Sequence, residues 1–190
     1  MLPANFPDAP INQRIVDTFE NPQILYDADT VRGFVQRMAD YITSTFDGNF
    51  VLMGVMNGAL QLQADVLRAL YGVDGVLTET IRVASYEGTT RGELSIVSKP
   101  ASENIKDKTI VVVDDVNDSG TTLKAIQDYL YGEGAKEVHS IVLFEKPCAK
   151  YPANFVAEPL IDNDFIVGYC LDCHGLFRNL DYVFKVDGLR

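Results

Sequence analysis

The chain contains no tryptophan, two histidines and three cysteines, and its basic residues are few. Each shortage excludes something. Sixteen Lys and Arg against 27 Asp and Glu leave a net charge of −11, and no Lys/Arg block stands out. A duplex nucleic-acid binder draws its affinity from neutralising phosphates, so a nucleic-acid partner is not expected. An anionic membrane surface would repel such a chain. An odd, small number of cysteines in a chain of 190 residues does not read as a disulfide framework, and points to a reducing compartment. Long apolar runs are also missing. Phe50–Met56 has the length of a strand, far short of the roughly 18 residues of a membrane span. The opening stretch MLPANFPDAPINQ has neither a basic region nor an apolar one, so no secretory signal is predicted. The expectation is a cytoplasmic protein without membrane or nucleic-acid partners. At about 100–200 residues per domain, residues 1–190 form a single domain, large enough to bury about 70% of the unfolded surface without a staple.

Pattern along the chain then suggests elements. Pro3, Pro7, Pro10 and Pro22 argue against long regular structure at the start. Val31, Phe34, Val35, Met38 and Ile42 repeat at helical spacing, with Asp29 or Thr30 as the expected N-cap. Phe50–Met56 reads as a buried strand. Leu60, Ala64, Leu67 and Leu70 mark a second helix, and a strand follows near 80–84. Residues 87–108 are polar and Gly/Ser/Thr-rich, a long loop that could form a hairpin through Glu93–Val97, and loops of that length usually carry function. The β-branched run Thr109–Val113 is a confident strand. A helix over Thr121–Leu130, ended by Gly132 and Gly134, precedes strands at 137–144, 165–170 and 182–186. Strands alternating with helices specify an α/β fold, a parallel twisted sheet flanked by helices. Ligands of such sheets bind beyond the carboxyl ends of the strands.

That rule points to Val111-Val112-Val113-Asp114-Asp115-Val116-Asn117-Asp118-Ser119-Gly120-Thr121-Thr122. A hydrophobic strand delivers two adjacent carboxylates, a third follows, and Ser-Gly-Thr-Thr opens a helix. Adjacent acids at a strand end suit a sugar diol or a magnesium-bound ligand. A helix start with Gly and hydroxyl residues offers free N–H groups and a positive dipole end to an anion. In an ordinary strand–turn–helix, Asp118 or Ser119 would only cap the helix; the co-occurrence of all the parts favours the ligand site. The Asp-Asp-x-x-Asp spelling also occurs in helical terpene synthases, but here it follows a strand. A receiver domain would leave the Ser-Gly-Thr-Thr turn unexplained. No Gly-Lys dipeptide occurs, so there is no P-loop.

VVVDDVNDSGTT resembles the phosphoribosyl pyrophosphate (PRPP) signature of type I phosphoribosyltransferases. VMNGAL at 55–60, Ser85-Tyr86, Phe144-Glu145-Lys146-Pro147 and FIVGYCLDCHGLFRNLDYV at 165–183 narrow the resemblance to the hypoxanthine-guanine phosphoribosyltransferases, from about residue 30 onward. The resemblance implies a small hood built from parts of 1–29 and 150–190, and transfer of the phosphoribosyl group of magnesium–PRPP to N9 of a 6-oxopurine in purine salvage. Asp114 and Asp115 match the acid pair that holds the ribose hydroxyls and associated Mg2+. Asp118 matches the acid near the purine N7, the catalytic proton acceptor. Asp118, Ser119, Gly120, Thr121 and Thr122 match the 5′-phosphate turn. Asn57 and Gly58 belong to the pyrophosphate loop, Arg178 matches a pyrophosphate-contacting arginine, and Ser85 and Tyr86 open the mobile loop that would close over the pyrophosphate. Lys146 matches the donor to the purine O6, Phe165 the stacking ring and Ile166 the residue whose carbonyl reads the base edge. Asp172, grouped with the purine site, matches an acid that helps hold magnesium and pyrophosphate. The family forms homodimers or homotetramers.

A lysine has only donors, so adenine, with an amino group at that position, would leave Lys146 unpaired. Taken alone, Lys146 would be a solvated strand end and Phe165 a core ring. The chain departs from the common pattern at Asn57, where many relatives carry Lys or Arg, at Thr121, where Lys is frequent, and at Cys173, where an aromatic is common. Cys170-Leu171-Asp172-Cys173-His174 spells a haem-attachment motif, discounted because no export signal and no second Cys pair accompany it. His139 reads as structural. The alternatives are a PRPP-sensing regulator without catalysis and a xanthine-preferring transferase.

Overall fold

The computed structural model describes residues 13–85 and 94–189. In chain order the elements are α1 (Gln13–Thr18), β1 (Phe19–Glu20), β2 (Gln23–Tyr26), α2 (Ala28–Thr45), β3 (Phe50–Met56), α3 (Leu60–Ala69), β4 (Leu77–Ser85), β5 (Leu94–Ser98), β6 (Thr109–Asn117), α4 (Thr121–Gly132), β7 (Glu137–Glu145), β8 (Phe155–Pro159), β9 (Phe165–Val167), β10 (Val183–Val186) and β11 (Gly188–Leu189).

Six strands form the main sheet in the order β5-β4-β3-β6-β7-β8. All neighbours are parallel except β5, which runs antiparallel along β4. A parallel sheet is covered on both faces, which explains the unbroken apolar run of β6. Val111 and Val113 join the core under α2 and α3, where Val31, Phe34, Met38, Ile42, Leu62 and Val66 pack. Ile110 and Val112 point to the other face, against Leu123, Ile126 and Leu130 of α4. The chain leaves β3 toward β4 on one side and reaches β6 on the other, so the strand order switches between β3 and β6. A crevice opens at such a point beyond the strands' carboxyl ends.

Two small antiparallel sheets, β1-β11 and β2-β10-β9, are assembled from the two ends of the chain. Ile15, Phe19, Val167, Phe177, Phe184 and Val186 form their own buried cluster. Ile166, Tyr169, Leu171 and Val183 belong instead to the main core beneath α2 and α3, which ties this layer to the sheet.

Several local expectations are corrected. The N-cap of α2 is Asp27, whose carboxylate accepts the Thr30 N–H at 2.8 Å, rather than Asp29 or Thr30. The buried face of α3 is Leu62, Gln63 and Val66, while Leu60 is exposed; Gln63 is buried because its amide donates to the carbonyls of Leu52 and Glu79. The strand near 80–84 runs over Leu77–Ser85. Within 87–108 the expected hairpin strand is present over Leu94–Ser98, antiparallel to β4, and Ser102–Asn104 adds a short 3-10 turn; Glu93 lies outside the described residues. The strand at 165–170 stops at Val167, because Gly168, Tyr169 and Cys170 take positive φ. β8 (Phe155–Pro159), whose sequence carries no clear strand pattern, is an edge strand beside β7.

Phe144 is fully buried, stacked on Tyr26 at 5.5 Å between ring centres and edge-on to Phe34 at 5.9 Å. Phe144→Ala should cost about 3–5 kcal/mol, read as a lowered urea midpoint at unchanged slope.

Candidate active site

The ends of β3, β6 and β7, strand β9 and the segment after it surround a cleft of about 330 Å³. Its lining includes Asn57, Gly58, Asp114, Asp115, Asp118, Lys146, Phe165, Ile166, Asp172 and Arg178, residues spread over more than 120 positions of sequence. Ser119, Gly120, Thr121 and Thr122 form the turn and start of α4 next to Asp118 and do not line the cleft itself. Ser85 ends β4, and Tyr86 lies outside the described residues.

Asp114 and Asp115 are 7% and 8% exposed. The Asp114 carboxylate accepts the Asp115 N–H at 3.0 Å, and that of Asp115 accepts the Val116 N–H at 2.8 Å. Burial, and then the neighbouring Asp115 charge, holds the Asp114 carboxyl well above its ordinary range. Burial also raises Asp115, partly offset by the Arg178 guanidinium, which stands 3.4 Å from its Oδ2. A methyl group on Gly58 would lie 2.6 Å from that same oxygen, so only glycine lets the β3 loop pack on the acid pair.

Arg178 also pairs with Asp172 and donates to the Cys170 carbonyl. Asp172 accepts the Gly175 N–H at 2.6 Å. Arg178 therefore fastens the 168–175 turn to β6. Tyr169 anchors the same turn to α3, its hydroxyl donating to Asp65 at 2.8 Å. Cys170 and Cys173 are free and buried, and burial pushes the Cys170 thiol up, away from the thiolate that haem or zinc chemistry would use. His139 pairs with Glu137 at the far end of β7 and packs edge-on to Phe46.

Across the cleft, Lys146 Nζ lies 3.5 Å from Asp118 Oδ2; the lysine side chain is 14% exposed and the aspartate 63%. Lys146 is thus not a solvated strand end. Phe165 is 47% exposed although Ile166 and Val167 beside it are buried. The core reading of Phe165 fails, since its ring faces the cleft. The N-cap of α4 is Gly120, at φ 84, where a methyl would strike Tyr151 at 2.6 Å; the Ser119 hydroxyl accepts the Thr121 N–H at 3.4 Å. Asp118 does not take up the first-turn N–H groups, and beyond the long Ser119 contact the turn is suited to an anion.

The lining carries four carboxylates against two cations. Among the described residues no three His, Cys, Asp or Glu converge on a single metal position. Such a donor set fits a hard cation that keeps water and takes further oxygens from its ligand, as magnesium does, and not an all-protein metal cage. Three contributors have no distinct signal in the sequence: Asn117, buried under the turn, its half-buried partner Glu145, and Cys148, whose Sγ is 3.5 Å from Asp118 Oδ1. Asn117 and Glu145 sit inside the recognisable motifs, and their polarity at strand ends is the only hint of them.

Residues 25–174 match the phosphoribosyl transferase domain. The chain is 27% identical over 168 residues to the hypoxanthine-guanine phosphoribosyltransferase of Staphylococcus aureus, covering 85% of this chain and 91% of that protein. The crystal structure of a Bacillus anthracis hypoxanthine-guanine phosphoribosyltransferase, with HEPES in its active site, superposes with a TM-score of 0.78 at 29% identity, over 86% of this chain and 98% of that one. A Staphylococcus aureus hypoxanthine phosphoribosyltransferase gives 0.80 at 24% identity, over 93% and 96%, a likeness of fold.

The pH dependence of stability follows from the acid pair. A carboxyl whose folded pKa lies above its unfolded one binds its proton more tightly when folded, so stability falls as pH rises through that window. Asp114→Asn keeps the acceptor oxygen and removes the buried charge. Without divalent metal it should raise the melting temperature at pH 8 and much less at pH 4; an equal or opposite change at pH 8 would contradict the assigned burial cost.

Proposed function

The chain belongs to the phosphoribosyl transferase domain family, and on that premise we propose that it transfers the 5-phosphoribosyl group of magnesium–PRPP to N9 of a 6-oxopurine, hypoxanthine or guanine, giving the nucleoside monophosphate and pyrophosphate. The observation that carries the reading is the pairing of a donor and an acceptor, Lys146 Nζ and Asp118 Oδ2, 3.5 Å apart beside the exposed ring of Phe165.

The edge of a 6-oxopurine has the complementary pattern. O6 accepts, and the adjacent N7 carries a proton in the tautomer whose N9 is free to attack. Lys146 donates to O6, Asp118 receives the N7 proton, and Phe165 stacks on the base, with the Ile166 carbonyl reading its far edge. As the bond from ribose C1 to pyrophosphate breaks and the bond to N9 forms, positive charge develops on the ribose, and the carboxylates below it favour that charge. Asp114 and Asp115 hold the ribose hydroxyls. Ser119, Gly120, Thr121 and Thr122 hold the 5′-phosphate by N–H and hydroxyl groups, which suffices because that phosphate is bound and not broken. Asn57, Gly58 and Arg178 face the pyrophosphate, and Ser85 and Tyr86 are assigned to the same group. Magnesium would be held at Asp114, Asp115 and Asp172, and when bound it neutralises the substrate's polyphosphate. Asn57 supplies no charge, so pyrophosphate binding rests more heavily on magnesium and Arg178. The reading includes a homodimer or homotetramer in the cytoplasm.

Incubation with PRPP, magnesium and each of hypoxanthine, guanine, xanthine and adenine tests the proposal. Nucleotide should form with hypoxanthine or guanine; PRPP binding without any turnover would instead identify a regulator, and turnover of xanthine alone a xanthine-preferring enzyme. Asp118→Ala should lower turnover by about 10²–10⁴ while calorimetric PRPP binding persists. Lys146→Ala should erode the preference for oxopurine over adenine; a preference unchanged in that variant would remove the role given to Lys146.

A further inference from the structure

Asn117 immediately precedes Asp118, and Glu145 immediately precedes Lys146; the two are register partners across β6 and β7. Asn117 is 2% exposed. Its side-chain amide donates to Glu145 Oε2 at 2.7 Å and to the Tyr151 carbonyl at 2.9 Å. The same Glu145 oxygen accepts the Ala153 N–H at 2.8 Å. Backbone bonds close the arrangement: Lys146 N–H to the Asn117 carbonyl at 3.0 Å, and Lys150 N–H to the Ser119 carbonyl at 3.0 Å. The 147–153 turn is further held by Asn154, whose side-chain oxygen accepts the Ser140 N–H at 2.8 Å. Tyr151, fixed in this way, is the residue against which Gly120 packs.

A buried amide such as that of Asn117 is costly unless satisfied, and a half-buried carboxylate beside it gains from being paired. Here they are satisfied by each other and by the turn on which the phosphate and base sites both rest. We infer that Asn117 and Glu145 are positioning residues, a clasp between a buried amide and a half-buried carboxylate that sets the spacing of Asp118 and Lys146 and couples the phosphate turn to the base-reading lysine. This rests on the transferase reading above. Neither residue lines the cleft, so neither touches substrate; each acts through its neighbour in sequence. Small errors in such spacing are amplified in catalysis, because about 1 Å of misplacement costs on the order of 100-fold.

Glu145 accepts both side-chain-directed bonds on one oxygen, so Glu145→Gln can retain them and Glu145→Ala cannot. Steady-state kinetics with the preferred oxopurine should show KM for both PRPP and base raised about 10-fold or more in Glu145→Ala, and largely restored in Glu145→Gln. A merely structural residue would instead lower the folded fraction, and with it apparent kcat, leaving both KM values in place. Folded Glu145→Ala with wild-type KM values would overturn the inference, as would equal impairment of the Ala and Gln variants, which would implicate charge alone. Should Glu145→Ala fail to fold, Asn117→Ala is read in the same assay, and unchanged KM values there overturn it equally. Wild-type protein is the control: absence of transfer by the wild type would reject the transferase reading itself, and calorimetry of magnesium–PRPP on wild type and Asn117→Ala would then still test the clasp, a matching affinity rejecting it.

Discussion

Two adjacent carboxylates buried at the end of one strand are the constraint around which the rest is arranged. Asp114 and Asp115 leave a β-branched strand and enter a space with little water. Like charges so placed raise each other's protonation energy and need partners. Arg178 reaches back from near the C-terminus to stand beside Asp115, and pins Asp172 and the Cys170 carbonyl as it does so. Gly58 lets the β3 loop approach the same carboxyl. The stretch from Phe165 to Arg178, part of it in the small sheets, supplies the side of the cleft that the main sheet lacks.

The overall charge takes on a different meaning at this site. A net charge of −11 disfavours nucleic acid, and the cleft shares the bias, with four acids facing two bases. A polyanionic substrate entering there needs a cation carried with it, N–H groups at the helix start, or both. Global charge thus argues about large partners, and local donors argue about small ones.

The second organising contact lies on the opposite side of the phosphate turn. Asp118 is largely exposed and Lys146 is largely covered, yet their backbones are held by paired polar groups one residue upstream, the buried Asn117 and the half-buried Glu145. Placing the reactive side chains at strand ends and their supports inside the sheet gives a rigid base to groups that must face solvent and substrate.

Much of the fold was legible because its signals are periodic. β6 announced a doubly covered strand by an unbroken apolar run, and α2 by helical spacing, since burial on one stripe or on both faces leaves no other pattern. The motif at 111–122 was legible because strand, acids, turn and helix start are contiguous. Edge strand β8, the cap at Asp27 and the exposed Leu60 were not, because an edge and a cap are chosen by neighbours distant in sequence or by local geometry, not by periodicity. The residue types alone thus determined an α/β sheet, an acid pair at a strand end and an anion-binding turn. Only the tertiary structure decided that Phe165 faces a cleft while Ile166 is buried, that Lys146 meets Asp118, and that Arg178 answers Asp115. Those relations join positions 28 and 63 residues apart, and no local pattern encodes a distance across space.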